Sequence, residues 1–442
     1  MSGRPGGAAL LRAALLPILA LSAGCGSLAR LNDHAVPLYE AGNFAAAADA
    51  LSPLPPEGGK DRLLALYERG MMLHAARRFE ASNTDLLEAG KLAEDVELIG
   101  LAERSGTWIT NENAVDYRGE DWDRVLVHTL AALNYLGLNQ TMEALVECRR
   151  MMEVHKKIRA VREKDDRINA FALYLSGLCY ELDGQPNDAY VDYRACWELA
   201  PSFPPLADHL LGISRRLGMA QEHREWAEKF GHEDTPAPPG TGEVVLLLEA
   251  GRGPAKVPGG PLGILPALEH RPSTAAAGRL IVDGSPTETT TVLNDVESWA
   301  RDTLKEREVL LLLKRAAILA AKEVAAEATR KAAKKEADKV EKDVEEKHGK
   351  TAGKVVGAVL DAVLDQTFVR LAVLWTEKPD LRAWGTLPQT FQACRIRVPA
   401  GAHDLSVLPV DAAGAPVSAP LLFPRAEVAE GKILVLVARV VR

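Results

Sequence analysis

The chain has little of what most enzymes display. Its 442 residues include five cysteines and ten histidines, and neither set forms a ligand pattern: no CxxC occurs and the histidines are scattered. HExxH and GxSxG are also absent, so no signature of zinc-protease or α/β-hydrolase chemistry is present. Gly349, Lys350 and Thr351 imitate the end of a phosphate-binding loop, but Val344 stands where its first glycine belongs and no strand precedes it. No cofactor and no metal are therefore expected. An uncharged apolar run of membrane-spanning length is missing as well, since the apolar stretch from Ala352 to Trp375 carries Lys354, Asp361, Asp365 and Arg370. Those charges are costly in lipid, and the stretch reads as a core helix. Excess positive charge is the last absence: the formal net charge is −8, and Arg4 and Arg12 are the only charges before residue 25, so the remainder carries −10. Nucleic acid and anionic headgroups are poor general partners for such a chain.

What is present begins at the N-terminus. Arg4 and Arg12 precede an apolar run from Ala13 to Leu21, and Leu21-Ser22-Ala23-Gly24-Cys25 follows. A positive segment, a short apolar segment and small residues before a cysteine are the parts of a bacterial lipoprotein leader. The run is too short to span a bilayer, which takes about 20 residues. Residues 1–24 are thus expected to be a signal peptide, Cys25 the lipidated residue and 25–32 a tether. Gly26 and Ser27 follow without the aspartate that retains lipoproteins in the inner membrane, which makes the outer membrane the expected address.

Residues 33–230 carry an internal repeat. Gly177, Tyr180, Ala189, Tyr193 and Pro201 stand at tetratricopeptide spacings, with Gly184 in the inter-helix turn. Ala132, Tyr135, Asn139 and Ala144 fill the same slots earlier; Gly70, Leu73, Ser82 and Leu86 make another unit, and Ala35, Leu38, Gly42, Ala47 and Leu51 a further one. A last partial copy begins at Gly212. Small residues at these positions let the two helices of a unit cross closely, while the aromatics fill the space between units, so the units must stack. The widest gap, between the second and third units, holds Trp108, Asn111, Asn113, Tyr117 and Trp122, which are either a binding surface or packing residues. Cys179 and Cys196 are likewise either a disulfide or two small buried helix residues, and the second reading suits a chain of this size better.

Gly231 to Gly242 is a linker rich in Pro and Gly, and 243–442 is expected to be an α+β domain. Short strands are expected near 243–249, 263–268, 279–283 and 289–293. Asn294 or Asp295 then caps a long helix to about 348, with a second helix over 352–375. Apolar runs at 393–398, 402–410, 416–423 and 432–441, separated by Gly- and Pro-bearing turns, predict a small antiparallel sheet or sandwich over 390–442. The fold class expected is multi-domain α+β, a tetratricopeptide-like α-solenoid followed by this mixed domain.

The lipobox, the repeat region with Tyr67-Glu68-Arg69-Gly70 and Phe79-Glu80-Ala81-Ser82, and the later Asp380-Leu381-Arg382-Ala383-Trp384-Gly385-Thr386-Leu387-Pro388 together resemble an uncharacterised family of bacterial lipoproteins. The resemblance implies location and architecture and brings no activity. The expectation is a non-enzymatic, lipid-anchored envelope lipoprotein whose repeats present a concave surface to an envelope protein. The alternative is an enzyme or ligand-binding protein with its site at Asp380, Arg382 and Trp384, since an Arg and an Asp two apart in a loop are able to clamp a carboxylate or each other. The reading preferred for these residues is structural, with Arg382 pairing with Asp380 or capping carbonyls and Trp384 packed at the junction between the apolar helix and the C-terminal sheet.

Overall fold

The computed structural model describes residues 28–56, 59, 61–95, 117–162, 168–233, 236–259, 265–306 and 379–441, with scattered positions between 331 and 354. Cys25, Trp108, Asn111, Asn113 and most of the helical stretch expected over 307–375 lie outside them.

The N-terminal half is built of helix pairs: α1 (Leu28–Glu40) with α2 (Phe44–Ala50), α3 (Arg62–Ala75) with α4 (Phe79–Asp95), α5 (Asp121–Gly137) with α6 (Thr141–Arg162), α7 (Ala170–Leu182) with α8 (Pro186–Leu199), and α9 (Pro205–Arg216) with α10 (Ala220–Phe230). Each pair turns in the same way. Gly42, Arg77, Asn139, Gly184 and Gly218 all have positive φ, between 57° and 82°. The amide of the next residue donates to the carbonyl five positions back in every case: Asn43 to Leu38, Arg78 to Leu73, Gln140 to Tyr135, Gln185 to Tyr180 and Met219 to Ser214, at 2.8–2.9 Å. This left-handed helix ending satisfies a carbonyl the helix would otherwise leave bare.

The shared turn puts the repeat in register. Seven positions before it stand Ala35, Gly70, Ala132, Gly177 and Leu211, and five after it Ala47, Ser82, Ala144, Ala189 and His223. Ala35, Ala47, Ser82, Ala132, Ala144 and Ala189 are fully buried. A Cβ on Gly177 would lie 2.7 Å from the Tyr193 ring, so only glycine allows that crossing. The last pair is a full hairpin beginning at Pro205, with Leu211 in the crossing slot instead of the Gly212 start expected. There the contact is polar: His223 Nδ1 lies 3.1 Å from the Leu211 carbonyl, as Ser82 Oγ donates to the Gly70 carbonyl at 2.7 Å. Successive pairs pack through α2 with α3, α4 with α5, α6 with α7 and α8 with α9. The region is thus a tetratricopeptide-like helical array.

The C-terminal half holds β1 (Thr241–Ala250), β2 (Ala255–Gly259), β3 (Leu265–Glu269), β4 (Ala277–Val282), β5 (Ser285–Thr289), β6 (Thr291–Asp295), a helix α11 at 296–306, then β7 (Thr390–Pro399), β8 (Gly401–Val410), β9 (Leu421–Val428) and β10 (Ile433–Val440). Asp295 Oδ1 accepts from the Ser298 amide at 3.0 Å and caps α11. One sheet runs β10-β1-β7-β6, a second β5-β4-β8-β9, and β2 pairs with β3. The fold is mixed α/β. The expectation of an antiparallel sheet confined to 390–442 is corrected on two counts: β1 and β10 are parallel, and strands from before α11 interleave with those after it. β10 reaches the edge of the first sheet from the second, and so enters beside β1 in the same direction.

The first sheet is the middle layer. Val244, Leu246 and Leu248 of β1 join Leu280, Leu405, Val407 and Phe423 in the core between the sheets. Val245 and Leu247 point the other way, into the core shared with the helices, alongside Phe391, Ala393 and Val437. Strands covered on both faces read as continuous apolar runs, which accounts for Val244 to Leu248 as a sequence.

Candidate functional site: the junction between helices and sheet

The three residues of the expected polar loop come together, and they face the helices. Arg382 donates from Nε and Nη2 to Asp380, at 3.0 and 2.7 Å, and from Nη1 to Asp61 Oδ1 at 3.1 Å. Asp61 is the residue that precedes α3. The guanidinium also lies over the Tyr117 ring, 5.5 Å from its centre, in cation–π range. Trp384 is 3% exposed and stacks on Tyr67 of α3, with centroids 4.3 Å apart and planes 5° apart. The loop's main chain is fixed next to it: Gly385 N and Thr386 Oγ1 donate to the two oxygens of Glu68, each at 2.6 Å. Tyr39 Oη donates to the Thr386 carbonyl at 3.0 Å and Arg271 Nη2 to the Gly385 carbonyl at 2.7 Å. Asp380, Arg382 and Trp384 are thus engaged in seating this loop on α1 and α3.

A further pair of contacts continues the junction. Lys256 pairs with Glu120 at the start of α5 and donates to the Arg382 carbonyl at 3.1 Å. Behind it, Asp123 accepts from Tyr117 Oη at 2.8 Å and from the Glu120 amide at 2.9 Å. Burial raises the Asp123 carboxyl to about 7, against the pull of these donors. Tyr117 and Trp122 are 5% and 6% exposed, so these two aromatics of the widest inter-repeat gap are packing residues.

A chain of buried polar groups ties β1 to the helices. His74 Nε2 lies 2.9 Å from Glu249 Oε1, and its Nδ1 lies 2.6 Å from Asn134 Oδ1. Asn134 donates in turn to Ser82 Oγ and Asn83 Oδ1, at 2.9 and 2.8 Å. Arg439 of β10 donates to Tyr39 Oη at 3.0 Å and to the carbonyls of Gly251 and Val440, each at 2.6 Å.

At the other end, Arg395 of β7 is held between Glu181 of α7 and Glu243 of β1, donating to Glu181 Oε2 at 2.8 Å and to Glu243 Oε2 at 2.9 Å. Tyr193 Oη donates to Glu181 Oε2 at 2.8 Å, which gives this repeat aromatic a second role. Burial alone would raise the Glu181 carboxyl, but the Arg395 guanidinium outweighs it and holds the group well below the usual carboxylate range. His209 beside it is pushed down to about 4 by burial and by Arg395. Phe171 of α7 meets Phe391 of β7 at 4.9 Å between centroids.

The remaining repeat residues sit as follows. Tyr135 and Tyr180 are partly buried against the helical core, and Tyr180 lies under the Arg149 guanidinium. The surface that α1, α3, α5 and α7 present is thus covered by the chain's own β half. Glu68, Glu181, Arg395 and Arg439 were not foreseen as junction residues. The signal available was a charge inside an apolar run, as Arg439 stands alone within Ile433 to Val441 and Glu68, with Arg69 beside it, within Leu63 to Met72.

Among the described residues no group of three or more His, Cys, Asp or Glu is placed to hold a metal, and no helix is long and apolar enough to cross a membrane. No protein-family model and no curated protein matches the chain, so the resemblance to a lipoprotein family rests on its residues alone. Solved structures of MamA do align with part of it. One, titled as the crystal structure of MamA, is 12% identical, covers 44% of this chain and 91% of its own length, and has a TM-score of 0.31. MamA 41-end from Desulfovibrio magneticus RS-1 is 16% identical over 47% of this chain and 92% of that one, with a TM-score of 0.29.

Proposed function

We propose that this chain is a lipid-anchored envelope lipoprotein that acts without catalysis, its helical repeats forming a solenoid that binds another envelope protein. The observation that carries the reading is the set of five hairpins with one shared turn, since stacked repeats are built to present surface to a partner. Leu21 to Cys25 support the lipid tether, and Gly26-Ser27 an outer-membrane address facing the periplasm. Because the first helices of the first four hairpins are covered by the β half, the partner's place is the outer face of the second helices. Met142 and Val146 of α6 and Val191 and Leu199 of α8 are 60%, 44%, 57% and 42% exposed there.

Two measurements test the reading. Cys25→Ala is expected to move the protein from the membrane to the soluble fraction; a variant that stays bound through a high-salt wash refutes the lipid anchor. Purified from membranes, the Met142→Asp, Val191→Asp double variant is expected to lose the protein that accompanies the unaltered chain while keeping its thermal midpoint. Retention of that protein by the double variant refutes the assigned face.

A further inference from the structure

Cys148 of α6 and Cys179 of α7 are both fully buried, and their sulfurs are 3.7 Å apart. They belong to different hairpins and meet where the third packs on the fourth. The pairing weighed from sequence, Cys179 with Cys196, is ruled out by position. Cys196 Sγ donates to the carbonyl of Ala170 at 3.2 Å, and Cys179 lies nine residues further along α7, about 13 Å away at ~1.5 Å per residue. Cys394 faces the core between the two sheets.

We propose that Cys148 and Cys179 are a disulfide-forming pair that staples the third hairpin to the fourth when the chain folds in the presence of a disulfide oxidant. The sulfurs are in contact and need to close to about 2.05 Å, a movement of under ~2 Å shared between two side chains. The oxidant is a low-molecular-weight disulfide, such as oxidised glutathione, or the disulfide of a thiol oxidoreductase. One cysteine thiolate attacks the oxidant's sulfur, forms a mixed disulfide and releases one thiol. The second cysteine then attacks the mixed disulfide at the first cysteine's sulfur and releases the other thiol. Two protein thiols lose two electrons and two protons, and one external disulfide becomes two thiols. The neighbouring sulfur and burial both raise the Cys148 thiol well above its ordinary range, and only the thiolate is nucleophilic. The exchange therefore belongs to the assembling chain, and the same burial afterwards shields the bond from reductants. The bond would close a loop across the joint between two repeat units, beside the Arg149–Tyr180 contact that also spans it.

The full chain is denatured, refolded in either oxidised or reduced glutathione, denatured again with alkylating agent and mapped without reductant. The oxidised sample is expected to yield one cross-linked peptide joining Cys148 to Cys179, with Cys196 and Cys394 alkylated, and a thermal midpoint higher by roughly 5 °C. Reductant added before the second denaturation should leave the bond intact, and added after it should remove the cross-link. Cys196→Ser is expected to keep the shift and Cys148→Ser to abolish it. Alkylation of both Cys148 and Cys179 in the oxidised, refolded protein overturns the proposal, as does a cross-link joining either one to Cys196 or Cys394. Because the mapping is done on the unaltered chain, a folding defect in a variant does not affect the decision.

Discussion

Two glutamates, one buried and one largely so, both on first helices and both gripping the β half, are driven in opposite directions. Glu181 of α7 faces the guanidinium of Arg395, and its carboxyl is held low. Glu68 of α3 faces an amide and a hydroxyl, with Arg271 acting at longer range, and burial wins: its carboxyl is raised. Each is held by short hydrogen bonds. Hydrogen-bond count therefore does not set the charge state of a carboxyl at this junction. What sets it is whether a full positive charge offsets the loss of water. One end of the junction is an ion cluster and the other is closer to a neutral clasp.

The strongest way to break this contrast is Arg395→Met, which takes the buried guanidinium from between Glu181 and Glu243 and leaves them only the more distant Arg216 and Arg397, at 3.6 and 3.5 Å. The expected loss is about 3–5 kcal/mol, read as a lower midpoint in chemical denaturation. The variant should also lose the part of this end's acid sensitivity that Glu181 contributes, while the part due to the burial of His209 remains. Glu181 is depressed, so its stabilisation is present above its ordinary value of 4.5 and lost as pH falls through its folded value; His209, lowered to about 4, adds a loss as pH falls below its ordinary 6.5. A variant that keeps the full acid-side decline would show that other groups cause it.

Trp384→Ala tests the clasp by packing instead of charge. Truncating a buried aromatic costs about 3–5 kcal/mol, and the loss is expected to be the same at pH 5 and pH 8. Ala189→Leu strikes the helical array away from the junction, at a fully buried crossing. Overpacking there should cost about 1–3 kcal/mol and leave the pH response untouched; an unchanged midpoint would mean the repeat register is wrong.

The smallest expected effect is the sharpest. Glu68→Gln resembles the protonated acid and still offers an acceptor, so at pH 7 its cost should be under about 1 kcal/mol. Glu68 is raised, so its contribution is complete below its ordinary value of 4.5 and declines as pH rises through its folded value. The variant should lack that part of the decline. Asp123, raised to about 7, will keep a residual fall between its ordinary 3.8 and 7 in both proteins. If Glu68→Gln instead costs as much as Arg395→Met, the two ends are not different in kind.

The helices were legible because their signal is local and repeated. A glycine or asparagine marked the turn at Gly42, Asn139 and Gly184, and small residues marked the crossings around each. Arg77 hides the same turn, because arginine rarely adopts positive φ and carries no turn signal. β1 was legible as an apolar run since both its faces are covered. β2 and β5 were missed: β5 is exposed at four of its five residues, and an edge strand of polar residues has no alternation to read. The loop at Asp380 to Trp384 was noticed, and a pair of Asp380 with Arg382 beside a buried Trp384 was the preferred reading, but the helices it seats on were not legible. Glu68 and Gly385 are 317 residues apart and Glu181 and Arg395 are 214 apart, so no window of sequence joins them. A carboxylate and a guanidinium close together in a loop look the same from sequence whether they await a ligand or seat the loop.

The order of the first sheet sets a timetable for the growing chain. β1 is made before any of its neighbours, and both of them, β7 and β10, come from the end of the polypeptide. Each helix hairpin has its partner helix within a few residues and is able to close as it emerges. Val244 to Leu248 have to wait until synthesis has passed residue 390 for one neighbour and 433 for the other. At a ribosomal rate of about 5–20 residues per second that wait is on the order of ten seconds or more. Throughout it, five consecutive apolar residues remain without their strands, in the kind of segment most prone to pair with another copy. The sheet that ties the molecule together is thus also the part whose first strand stays unpaired until the chain is nearly made.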